Sequence, residues 1–103
     1  MSDPMAELTQ RFKAEALDRT DQIEILLSSL ASAADPALIC DEIRDHAHKL
    51  KGAAGVFGFH DFKERASEVE KEASAQVGAA DGETAYEGLA PVVGELLAVI
   101  PAQ

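Results

Sequence analysis

Apolar residues recur at helical spacing along most of the chain. Ile43, Ala47, Leu50, Ala54 and Phe57 step by four, three, four and three, the narrow stripe of a helix buried in a bundle. Asp35-Pro36 in front reads as N-cap and first helical residue, and Gly58 behind as the terminating glycine. Asp3-Pro4 carries the same start signal. Met5, Leu8 and Phe12 follow it, then Ile23, Leu26, Leu27 and Leu30, while from Lys13 to Gln22 the stripe thins to Ala16 and Leu17. This predicts one long helix over about residues 4–33, or a short helix leading into a longer one. A third helix begins at Asp61-Phe62, with Phe62, Ala66, Val69 and Ala73 inward and Glu64, Glu68, Glu70, Lys71 and Glu72 outward. The loop Gly78–Gly82 offers Asp81 as N-cap to a last helix holding Tyr86, Leu89, Val93, Leu96, Leu97 and Ile100. Pro91 lies inside that helix and removes a backbone donor, which predicts a kink or an irregular first half.

Four such helices with short connections predict an all-α fold, an antiparallel up-down four-helix bundle, with or without a short extra helix at the N-terminus. No repeat, linker or low-complexity tract divides residues 1–103, so a single domain is expected, with a monomer as the default because four helices can close one core. Hydrophobic residues make up 47% of the chain but aromatics only 5%, and the abundance of Ala and Leu favours helix packing over a sheet. The lone cysteine, Cys40, cannot form an internal disulfide and reads as a small buried hydrophobe. With no membrane-length apolar run and no secretory signal at the N-terminus, a cytoplasmic setting is expected. The net charge of -10 argues against a nucleic-acid partner, since phosphate backbones need a basic face.

Two glycines, Gly52 and Gly55, interrupt the best helix in the chain, each at a cost of about 1 kcal/mol relative to Ala. At 100° per residue, His46 lies about 60° to one side of the buried stripe and His48 about 140° to the other, with Lys51 near 80°, Gly55 near 120° and Gly52 near 180°. The glycines therefore strip the helix surface beside His48 and leave its imidazole approachable by a flat partner. Close helix packing is the alternative use for them, disfavoured by their angles away from the stripe. His46 has Lys49 three residues on, as His48 has Lys51, but its fourth residue on is the bulky Leu50.

His48-Lys49-Leu50-Lys51-Gly52, followed by Ala53-Ala54-Gly55-Val56-Phe57-Gly58, resembles the signature of histidine-containing phosphotransfer (HPt) domains of two-component phosphorelays. The Gly-Val-Phe-Gly-Phe end also resembles the phosphorylated domain of chemotaxis-type histidine kinases. The resemblance implies that His48 accepts a phosphoryl group through its solvent-facing ring nitrogen and exchanges it with aspartates of response-regulator receiver domains. Lys51 would stabilise phosphoryl charge, Gly52 and Gly55 would give partner access, and Lys49 would steer an acidic receiver pocket. A neutral imidazole is an available nucleophile at cellular pH, and phosphoryl transfer is mostly positioning and charge stabilisation. Partners would be receiver domains or a hybrid histidine kinase, docking on the exposed part of the first and second helices. No Walker-type phosphate loop is present, so the chain is read as a phosphocarrier rather than an enzyme. No cofactor of its own is expected, Mg²⁺ belonging to the receiver.

The other candidates are weaker. His60 reads as a loop or first-turn residue. A metal site from His46, His48 and His60 is disfavoured because His46 and His48 are about 200° apart on one helix. The E-x-x-H spacing of di-iron bundles does not occur, and the 19 acidic residues read as solvated helix faces. An adaptor or inhibitor of the same fold, binding a kinase or receiver without carrying phosphate, is the rival reading. Met1 and the polar end at Gln103 favour a free-standing protein over a piece of a kinase.

Overall fold

The computed structural model describes residues 3–79 and 81–101. Met1 and Gln103, and Ala80 of the expected loop, lie outside them. Helix α1 runs Pro4–Ser29 and ends in a 3-10 turn, Leu30–Ser32; α2 is Pro36–Phe57, α3 His60–Gln76 and α4 Gly82–Leu97. The fold is an all-α helical bundle, and α1 is one continuous helix without a separate N-terminal segment. Three aspartates cap as expected: Asp3 accepts from the Met5 N–H, Asp35 from Leu38 and Asp81 from Thr84. Gly58 closes α2 in the left-handed region (φ 78°), and the Phe59 N–H returns to the Ala54 carbonyl at 3.0 Å.

Cross-helix neighbours set the topology. Phe12 stacks on Phe57 while Arg19 meets His46; His48 meets Glu70 while Gly55 faces Lys63; Arg65 reaches Glu95 while Gln76 abuts Gly88. In each pair one number rises as the other falls, so α1, α2, α3 and α4 are successively antiparallel, and α4 closes against α1 and the 3-10 turn. The core is built from the predicted stripes, with Ile23, Ile43, Leu50, Phe62, Leu89 and Leu96 fully buried, but Leu17 and Tyr86 of those stripes are exposed. Thr20 is buried as well, its hydroxyl donating to the Ala16 and Leu17 carbonyls. Among the described residues, no helix is long and apolar enough to cross a membrane.

Several expectations need correction. Residues 4–11 of α1 overhang the bundle, so Met5 and Leu8 are 58% and 46% exposed although they continue the stripe of Phe12. Phe57 and Phe59 are half-buried and both stack on Phe12, with ring centroids 5.3 and 5.5 Å away. Helix α3 opens one residue early, at His60, behind an N-cap Phe59 that supplies no side-chain bond. The irregular first half expected before Pro91 is absent, and α4 is helical from its start through Leu97. Pro91 offers no amide to the Glu87 carbonyl, and both residues lie on the exposed side of α4. Ile100 falls beyond the helix end and packs half-buried against the core.

Gly82 is required by close approach. A Cβ there would run into the backbone carbonyl of Leu30, where the start of α4 rests on the 3-10 turn.

Candidate functional site

His48 projects from the outer side of α2 and its side chain is 63% exposed. One residue of α3 reaches it. The Glu70 carboxylate bridges two partners, with Oε2 2.6 Å from His48 Nδ1 and Oε1 2.5 Å from Lys51 Nζ. Lys51 follows His48 by three residues, which puts both side chains on the α3 side of the helix. The Lys51 ammonium, and after it the His48 ring, hold the Glu70 carboxyl below its ordinary range against the opposing effect of burial. An ionised carboxylate can only accept, so Nδ1 carries the proton that is donated to Glu70. In the neutral ring the lone pair then sits on Nε2, on an exposed side chain.

His46 is held in the opposite sense. The Arg19 guanidinium lies 3.1 Å from His46 Nδ1 and can only donate, so that nitrogen accepts and Nε2 bears the proton. Burial first, and the Arg19 charge second, push the His46 pKa below its ordinary value. Its available lone pair is consumed in tying α2 to α1. The two histidines engage different helices and different partners.

The glycines divide. A Cβ at Gly52 would meet nothing within 4 Å, so packing gives no reason for glycine there. At Gly55 it would lie 3.6 Å from Cδ, Cε and Nζ of Lys63, which rests across that position. Lys49 is exposed and pairs with Asp45 at 3.1 Å, an interaction that lowers the Asp45 pKa. His60 is exposed in the first turn of α3. Cys40 is buried in the core, where desolvation raises its thiol pKa.

Sequence reasoning puts the exposed face around His48 on the first and second helices; the structure sets His48 against α3 instead, the α1 side of α2 being taken by His46 and Arg19. It also counts Glu70 among the solvated outer residues of α3 and so misses it. A signal was present: Glu70 is four residues from buried Ala66, at the edge of the stripe rather than opposite it. Which helix that edge faces is a tertiary property.

The site is an exposed imidazole anchored at Nδ1 by a carboxylate, beside an ammonium and a bare glycine. The Hpt domain family model matches residues 7–100. The chain belongs to the Hpt domain family. No curated protein and no solved structure matches it. As an Hpt domain the chain has a phosphotransfer role in a phosphorelay, as a phosphocarrier rather than an enzyme, with partners of the two-component class. The matched span takes in all of α2 and α3, and with them His48, Lys51, Gly52, Gly55 and Glu70.

Proposed function

We propose that His48 Nε2 is the phosphoryl carrier and that it exchanges the group with aspartates of receiver domains. The observation that supports this most is the Glu70 bridge, which fixes the proton on Nδ1 and turns the nucleophilic lone pair outward. In the forward step Nε2 attacks the phosphorus of an aspartyl phosphate. The N–P bond forms, the P–O bond to the aspartate breaks, and the carboxylate leaves with its electron pair. No proton is released: Nδ1 keeps its hydrogen, the ring becomes cationic, and Glu70 faces the new charge at hydrogen-bond distance. In the reverse step the same bond keeps the ring protonated, which makes it a good leaving group. Lys51, on the same face, contributes positive charge beside the phosphoryl oxygens, and Gly52 leaves a flat approach. Mg²⁺ is assigned to the receiver, with no cofactor or ATP site on this chain. A cytoplasmic monomer is the form proposed.

The test is transfer from a phosphorylated receiver or hybrid kinase of the same cell to the wild type, His48→Gln and His46→Gln. Label that is acid-labile and base-stable, present in the wild type and His46→Gln and lost in His48→Gln, is the expected result. Label retained by His48→Gln refutes the assignment. A partner that binds but labels neither protein supports the adaptor reading instead.

A further inference from the structure

Lys63 is seven residues before Glu70 and therefore on the same edge of α3. Its stem crosses Gly55, with Cδ, Cε and Nζ each 3.6 Å from where a Cβ would be. Gly55 is in turn seven residues after His48, about 20° round α2 and roughly 10 Å along its axis. The ammonium therefore lies on the His48 face, two turns beyond the imidazole.

Its charge is uncompensated. Arg19, Arg44, Lys49, Lys51 and Arg65 each have a carboxylate within ion-pair distance; among the described residues Arg11, Lys13, Lys63 and Lys71 have none, and of these four Lys63 is the one whose ammonium lies over Gly55. Lys51 is held at the His48 site by Glu70 and Lys49 is paired with Asp45, so Lys63 is a further, unpaired cation on the same face. The chain carries -10 overall, which repels the acidic surface that surrounds a phosphorylatable aspartate. A separation of roughly 10 Å exceeds the screening length of about 8 Å at physiological salt, so Lys63 acts weakly on a group at His48. It can act directly on a partner covering both positions.

We propose that Lys63 is a rate- and specificity-determining contact for the phosphoryl-exchange partner, its ammonium meeting a carboxylate on the rim of that partner's acidic surface. This rests on the reading of His48 as carrier.

The test uses the full chain and an isolated receiver domain of a hybrid kinase from the same cell, charged with acetyl phosphate. Transfer is timed at low salt and at about 0.5 M salt, where the screening length is only a few ångströms. At low salt Lys63→Glu lowers kcat/KM about tenfold and Lys63→Met about threefold, while Lys63→Arg stays near wild type. These differences shrink at high salt, and the rate at saturating partner and the phosphohistidine lifetime stay unchanged. Wild-type kcat/KM for Lys63→Glu at low salt overturns the proposal, as does a loss confined to the saturating rate. Failure of the wild type to take label from any receiver or kinase overturns instead the reading of His48.

Discussion

Gly52→Ala separates the functional use of a helix glycine from a structural one, because the two give opposite signs. The added methyl meets nothing within 4 Å, so no contact is broken and none is crowded. Only the backbone term remains, and Ala in a helix interior is favoured over Gly by about 1 kcal/mol. For a domain near this size that raises Tm by roughly 4–8 °C. The same methyl stands one turn from His48, about 6 Å along the axis, on the surface a partner must cover. Thermal and urea unfolding of Gly52→Ala should therefore show a more stable protein, while transfer from a phosphorylated receiver slows. Gly52→Gln extends the series: overpacking a close interface costs about 1–3 kcal/mol, a loss of kcat/KM of about fivefold to about 150-fold. A Gly52→Gln variant transferring at the wild-type rate would refute the access argument. A destabilised Gly52→Ala would refute the claim that packing does not need the glycine.

Three further outcomes are expected. Because Lys51 and then His48 hold the Glu70 carboxyl below its ordinary value of 4.5, its ionised form stabilises the fold above that pH, and the contribution fades as pH falls from about 4.5 through the folded value. Glu70→Ala should lose that part of the acid dependence of Tm and release the His48 tautomer preference seen by ¹⁵N NMR, and an unchanged tautomer signal would contradict the anchoring argument. His46 is depressed below its ordinary 6.5, so the unfolded chain takes up its proton first and stability declines as pH drops below about 6.5; His46→Gln should flatten the Tm profile between about pH 7 and 5. Gly82→Ala should destabilise by about 1–3 kcal/mol in urea unfolding, through its collision with the Leu30 carbonyl, whereas Gly94→Ala, with nothing within 4 Å, should not. Equal effects at the two glycines would show that the start of α4 does not rest on that carbonyl.

Helix starts, the buried stripes and the outward aim of His48 were legible in the sequence because each depends on neighbours within a turn or two. A capping aspartate acts on amides two or three residues away, and a helical wheel needs only the direction of the core. The same wheel put His46 at the edge of the core, where it is found. What lies beyond those edges is not local. Glu70 could be placed at the rim of its stripe, but only the antiparallel pairing of α2 and α3 turns that rim toward His48 and Lys51 and thereby decides which ring nitrogen holds the proton. Met5 and Leu8 have the spacing of core residues and yet stand in water, because α1 is longer than the bundle it joins. Gly52, Gly55 and Gly82 are one residue type with three surroundings: open space, a lysine stem and a backbone carbonyl. Periodicity tells a residue's angle from the core; only the assembled helices supply what waits at that angle.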